Sequence, residues 1–207
     1  MKHQDIFFAD SSYHVFNKAN GREKIFIEPD NYDFFLRKFR KYILPIADVY
    51  AYILLPNHFH FLLRIKSEET LSRHYKHLHK KLPDITTPNW VNTFVIRQFS
   101  NFLNSYAKSF NKKYERSGSL FMNHLKRARV ETDRQFTATL FYVHKNAVHH
   151  GYVKNIEDWH YSSYKAIISN KPTLLMRDQV IEWFGSVQRY IEYHQQPIYL
   201  KDAKIME

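Results

Sequence analysis

Two runs of strand-forming residues, Ala47–Leu55 and His58–Ile65, flank the dipeptide Pro56-Asn57. A Pro-Asn pair between β-branched, aromatic and aliphatic stretches is a turn signal, so the runs read as an antiparallel hairpin. The hairpin constrains the rest of the chain, because both strands are rich in apolar residues and a sheet of that kind must be covered by helices. Three helical covers are legible. Tyr32, Phe35, Leu36, Phe39 and Ile43 lie on one helical face between a cap at Asp30 and a stop at Pro45. Val95, Phe99, Phe102, Leu103, Tyr106 and Phe110 do the same between Thr93 and Ser117-Gly118. Phe136, Leu140, Val143 and Ala147 follow the capping-box pair Thr132 and Gln135 and run out near Gly151.

Tyr13–Asn17, ending at Asn20-Gly21, and Leu120–Val130 read as two more strands, Ser67–Lys81 as a charged helix and Leu82–Trp90 as a loop. The order strand, helix, two strands, helix, strand, helix predicts an α+β sandwich with helices packed on a central antiparallel sheet. After Lys171-Pro172 a helical pattern around Val180 to Tyr193 reads as a C-terminal extension, dividing the chain into residues 1–168 and 169–207. The first ten residues lack the basic start and long apolar run of a secretory signal, and the longest apolar stretch is too short to span a bilayer, so the default location is cytoplasmic.

Composition narrows the chemistry. With no cysteine there is no disulfide framework, thiol nucleophile or thiolate zinc site, and with only four glycines there is no phosphate-cradling loop. Lys and Arg outnumber Asp and Glu by 31 to 20, which favours a polyanionic partner. The excess is clustered: Lys108, Lys112, Lys113, Arg116, Lys126, Arg127 and Arg129 face only Glu115 within their stretch. Because neighbouring strand residues point to opposite faces, one subset of Lys126, Arg127 and Arg129 can line a phosphate groove and the other cannot.

The sharpest local feature is His58-Phe59-His60. Side chains two apart on a strand emerge on one face about 7 Å apart at their bases, a span that two imidazoles can close on one metal. Phe59 then points into apolar packing. His77 and His79 share the spacing but lie in a helical pattern, where residues two apart diverge by about 200°, so they cannot share an ion. Two imidazoles alone make a weak site, and two surface histidines on a strand fit the same spacing. A third ligand has to come from elsewhere. On the helix after Thr132, Tyr142 and Asn146 are stacked at i and i+4, and an Asn carbonyl joined to two imidazoles makes a mixed N/O set suited to Mg²⁺ or Mn²⁺. Spacing does not single out Tyr142 among fifteen tyrosines.

Four segments in order carry a resemblance: Leu55-Pro56-Asn57-His58-Phe59-His60-Phe61-Leu62-Leu63, Arg116-Ser117-Gly118-Ser119-Leu120-Phe121, Tyr142-Val143-His144-Lys145-Asn146-Ala147-Val148-His149-His150-Gly151, and Asp158-Trp159-His160-Tyr161-Ser162-Ser163-Tyr164. With these the chain resembles the REP-associated tyrosine transposases, within the single-tyrosine HUH transposase superfamily, over roughly residues 10 to 168. Ala147 stands where relatives usually carry Pro. The resemblance implies a ferredoxin-like sheet with His58 and His60 on a central strand, Tyr142 as nucleophile on a helix and Asn146 as third metal ligand. It implies a divalent-metal-dependent enzyme that nicks and rejoins single-stranded DNA near imperfect, REP-like hairpins through a 5′-phosphotyrosine intermediate. Lys126, Arg127, Arg129, Arg116 and Lys112 are the expected DNA contacts. A monomer is expected, with a dimer left open. The alternative is a domesticated single-stranded DNA or RNA hairpin-binding protein that has lost its chemistry.

Overall fold

A computed structural model describes residues 4–197. β1 (Ser12–Lys18), β2 (Ala47–Leu55), β3 (His58–Ile65) and β4 (Lys126–Val130) form one antiparallel sheet in the order β2-β3-β1-β4. Helices α1 (Pro29–Tyr42), α2 (Glu68–His79) and α3 (Trp90–Lys113) fall between the strands, and α4 (Asp133–His149) follows β4. The connectivity β1-α1-β2-β3-α3-β4, with β1 and β3 central, is the α+β sandwich that the order of elements predicts, in the ferredoxin-like form that the resemblance implies. α5 (Tyr164–Ile168), α6 (Arg177–Phe184) and α7 (Val187–Gln195) complete the described chain. Residues 198–207 of the expected extension lie outside it.

Strand alternation sorts side chains between two cores. Tyr13, Val15, Phe59, Phe61 and Leu63 point to one face and pack with Phe35 and Phe39 of α1 and Phe99, Phe102 and Tyr106 of α3. Tyr50, Ala51, Ile53, Leu55 and Leu62 point to the other and pack with Leu140, Val143 and Ala147 of α4, Tyr164 and Ile167 of α5, Val180 of α6 and Tyr190 of α7. An irregularity between Val49 and Ala51 puts Tyr50 and Ala51 on the same side. Each buried Phe or Tyr removes a large apolar area from water, and the two cores fix the helices on opposite faces of the sheet.

Four boundaries differ from the sequence reading: α3 starts at Trp90, three residues before Thr93 and inside the stretch read as a loop, and the other three differ for a local reason. α1 starts one residue before Asp30: Pro29 occupies a first-turn position where its missing N–H costs nothing, and the Asn31 side-chain oxygen accepts from the N–H groups of Ile27 and Glu28. β4 covers only Lys126–Val130 because the chain leaves the ladder through His124, whose φ of 69° is left-handed, while Phe121 bridges back to Ala19. The helical pattern near the C-terminus is two helices, broken where Gly185 takes φ 80° and the Ser186 hydroxyl caps α7 by accepting from Arg189 N–H. Among the described residues no helix is long and apolar enough to cross a membrane.

Candidate functional site

The β2–β3 turn is pinned before any site chemistry begins. Pro56 O accepts from the N–H groups of Ile25 and Phe26, and Asn57 O accepts from Ala19 N–H. His58 therefore opens β3 at a fixed height, opposite Lys18 and Leu55, and His60 sits opposite Phe16 and Ile53. Both imidazoles face the second core, and Phe59 between them is fully buried in the first.

α4 lies over that same face because Leu140, Val143 and Ala147 form its apolar stripe. Tyr142 and Asn146, one turn apart, stand beside the stripe and meet the histidines. Asn146 Oδ1 is 2.9 Å from His58 Nε2, and the Tyr142 ring meets the His60 ring edge-on with 5.4 Å between centroids. The His58 and His60 rings are perpendicular, 5.2 Å apart. The sequence-derived quartet of His58, His60, Tyr142 and Asn146 is thus brought together within one chain.

A buried network holds α4 in this position. His144, on another face of the helix, has Nε2 2.7 Å from Ser163 Oγ and Nδ1 3.1 Å from both His194 Nε2 and Tyr190 Oη of α7. Ser163 in turn accepts from Tyr52 N–H on β2. Burial holds His144 well below the ordinary imidazole range, with His194 adding to the effect, so it is neutral packing rather than a base at the site. Trp159 anchors the returning chain by donating from Nε1 to Leu54 O.

Burial, followed by the neighbouring imidazoles His14, His58 and His150, keeps His60 well below its usual pKa and hence uncharged at neutral pH. An uncharged imidazole is the form that ligates a metal. His58 has Asn57 Oδ1 at 2.7 Å from Nδ1 and Asn146 Oδ1 at 2.9 Å from Nε2. A neutral ring can donate to one of these oxygens only; with its proton on Nδ1, a lone pair on Nε2 faces the Asn146 oxygen. A cation between them relieves that contact, and the edge of an octahedron of Mg²⁺–ligand bonds is about 3 Å long. Asn146 Nδ2 is buried without a hydrogen-bond partner, as befits an amide placed for its oxygen. The donor set therefore fits a hard divalent ion. Among the described residues no group of three or more His, Cys, Asp or Glu side chains is placed to hold a metal.

Two site residues escaped the sequence reading. His14 on β1 is buried, with Nε2 2.9 Å from His60 Nδ1 and its ring edge-on to Tyr142. Finding it requires the β1–β3 register, which the sequence does not give. His150 occupies the C-cap of α4 and falls one turn after Asn146, and its ring lies 4.9 Å from that of His58.

Of the expected DNA contacts, Lys126 shares the site's face, pairs with Phe16 in the ladder and lies over its ring. Arg127 and Arg129 point to the opposite face. Arg127 is only 9% exposed, lies over Phe7 and donates to the carbonyls of Asp5 and Leu125, so its guanidinium is committed to the fold. Arg129 lies over Phe8 near Glu131, Arg116 is paired with Glu23 and Asn111, and Lys112 is exposed near the end of α3. The structure does not bring these four to the histidines.

A ferredoxin-like sheet with a His-x-His pair on a central strand, overlaid by a tyrosine-bearing helix, is the arrangement implied by the resemblance drawn from the sequence. The comparisons with known proteins agree with the resemblance and with the fold. The chain is 28% identical over 126 residues to a protein of Haemophilus influenzae named "Putative REP-associated tyrosine transposase". That alignment covers 55% of this chain and 57% of the relative, so the chain spans little more than half the length of the protein it matches. A solved structure described as the REP-associated tyrosine transposase bound to a REP hairpin is similar in fold, with a TM-score of 0.53 over 83% of this chain and 88% of that chain, at 13% identity. No protein-family model matches the chain.

Proposed function

We propose that the protein is a transposase-like, metal-dependent endonuclease and strand transferase that acts on single-stranded DNA beside an imperfect hairpin. The observation that carries this reading is the convergence of His58 and Asn146 at 2.9 Å with Tyr142 set against His60. The similar structure, whose protein is bound to a REP hairpin, and the curated relative support hairpin DNA as the partner class.

His58 Nε2, His60 and Asn146 Oδ1 would hold Mg²⁺ or Mn²⁺. When bound, the ion supplies Lewis-acid polarisation of a non-bridging phosphate oxygen. The chain's own residues do the rest. A phenol with an ordinary pKa of about 10 is a weak nucleophile at neutral pH, so Tyr142 depends on its placement between buried rings, where it is held for in-line attack. Its oxygen forms a bond to phosphorus as the bond to the 3′-oxygen breaks. The phenolic proton leaves, the 3′-oxygen gains one, and a 5′-phosphotyrosine link remains. Because one ester replaces another, the reverse attack by a 3′-hydroxyl rejoins the strand without ATP. Lys126 contributes positive charge on the same face for the phosphate backbone. The tyrosine and the histidine pair come from one chain, which supports action as a monomer.

The test is to incubate the protein with Mn²⁺ or Mg²⁺ and a hairpin-bearing single strand and look for a covalent adduct on a denaturing gel. An adduct that disappears with chelator and in Tyr142→Phe supports the reading. One that persists under either condition rejects it, and tight hairpin binding with no cleavage of any strand points to a binding protein that has lost the chemistry.

A further inference from the structure

Which nitrogen of each imidazole carries the proton decides whether the pair can share an ion at all. A neutral ring offers one lone pair, and a proton on the metal-facing nitrogen removes it. In each ring of the pair Nδ1 already has a neighbour. His60 Nδ1 lies 2.9 Å from His14 Nε2, and His58 Nδ1 lies 2.7 Å from Asn57 Oδ1.

The His14 contact is built in some detail. The two ring planes differ by 12°, their centroids are 5.1 Å apart, and the nitrogens are only 2.9 Å apart. The rings therefore meet edge to edge in nearly one plane, the geometry of a linear N–H···N bond. Phe16, directly opposite His60 in the ladder, lies near-parallel to both rings, at 4.7 Å from His14 and 5.4 Å from His60. On β4 the residue opposite His14 is Ala128, which leaves room for the ring. Both His14 and His60 are almost fully buried, so His60 meets a specific acceptor where water would otherwise compete.

We propose that His14 and Asn57 are positioning residues that hold His60 and His58 in the Nδ1–H tautomer, leaving both Nε2 atoms unprotonated for one divalent cation. His60 donates from Nδ1 to His14 Nε2, which places His14's own proton on its buried Nδ1. The reverse direction, His14 Nε2–H to His60 Nδ1, would put the His60 proton on Nε2 and is the arrangement that the spectra below must exclude. His58 donates from Nδ1 to Asn57 Oδ1, which leaves Nε2 facing Asn146. Neither positioning residue touches the ion; each acts through the ring it holds, as outer partners of metal-bound histidines do. The inference rests on the metal-dependent reading above.

Long-range proton–nitrogen correlation spectra of histidine-labelled, metal-free protein read the tautomers directly, without DNA or activity. The expected result is Nδ1–H for both His58 and His60. His14→Phe keeps a ring but removes the acceptor. It should shift His60 towards Nε2–H and weaken Mn²⁺ binding, measured by calorimetry, by about 10- to 100-fold. His14→Gln, which restores an acceptor, should stay within about threefold of the wild type, a difference a purely structural role would not produce. Asn57→Ala, at an exposed turn position, should act likewise on His58 alone. Finding Nε2–H on His60 in the wild type, or wild-type Mn²⁺ affinity in His14→Phe, overturns the inference. Correct tautomers in a wild type that binds no Mn²⁺ would instead defeat the metal-dependent function while supporting the hydrogen-bond assignment.

Discussion

Lowering the pH from 7 to 5 should loosen the attachment of α4, the helix that carries Tyr142 and Asn146, because that attachment runs through uncharged buried imidazoles. Burial, reinforced by the charge of Lys145 and partly opposed by a hydrogen bond to the Tyr190 carbonyl, pushes His194 down to about 4. His144, which it contacts, is depressed in the same direction, by burial first and by His194 second. In the unfolded chain these rings have the ordinary value of about 6.5 and bind protons first. Their stabilising contribution is thus present above about pH 6.5 and is lost as the pH falls towards the folded values. For His194 alone, a pKa near 4 in the folded state against 6.5 in the unfolded state costs about 2 kcal/mol between pH 7 and pH 5, and His144 adds to that. That is a large share of the roughly 5–15 kcal/mol that holds a domain folded. The assay is urea unfolding with chelator present, followed by tryptophan fluorescence, since Trp183 on α6 packs against Phe136 of α4. With a slope of about 2 kcal/mol per molar, the midpoint should fall by about 1 M on going to pH 5. The carboxylates with lowered pKa, Glu28 and Asp84, titrate below this window, whereas His60 and His74, also depressed by burial, add to the drop in the wild type and in any His194 variant alike. His194→Phe should show a smaller drop than the wild type. Equal midpoints at the two pH values, or an unchanged drop in the variant, would refute the reasoning.

Lys126 and Arg127 are neighbours in sequence but should behave oppositely. Lys126→Ala should leave stability unchanged within about 0.5 kcal/mol and lower the salt slope of single-strand binding by about 0.7. Arg127→Ala should cost about 2 kcal/mol or more of stability through the lost bonds to Asp5 and Leu125, with little change in the salt slope. Anomalous diffraction from Mn²⁺-soaked crystals should give a peak bounded by His58, His60 and Asn146, and Asn146→Ala should abolish or greatly weaken it. Phe59→Ala should cost about 3–5 kcal/mol by opening a cavity in the first core, lowering the melting temperature with the histidines intact.

Much of the fold was legible because its signals are local. The Pro56-Asn57 turn, the alternation through His58–Ile65 and the capping pair Thr132 and Gln135 each specify their element without reference to the rest of the chain. The quartet was legible for the same reason: i, i+2 on a strand and i, i+4 on a helix are short-range geometries, and the resemblance linked the two. Contacts set by long-range register were not. His14 reaches His60 only because β1 pairs with β3 so that Phe16 opposes His60. Which of Lys126, Arg127 and Arg129 faces the site follows from the β1–β4 pairing. The Gly185 break was hidden because apolar spacing continues across it, while the backbone turns left-handed at that one residue.

The most direct test of the account is to digest the covalent protein–DNA product with trypsin and nuclease and locate the nucleotide by mass spectrometry. The account predicts a nucleotide mass on the peptide from Gln135 to Lys145, whose single tyrosine is Tyr142. A modification on any other peptide, or a cleaved strand with no peptide attached, would contradict it.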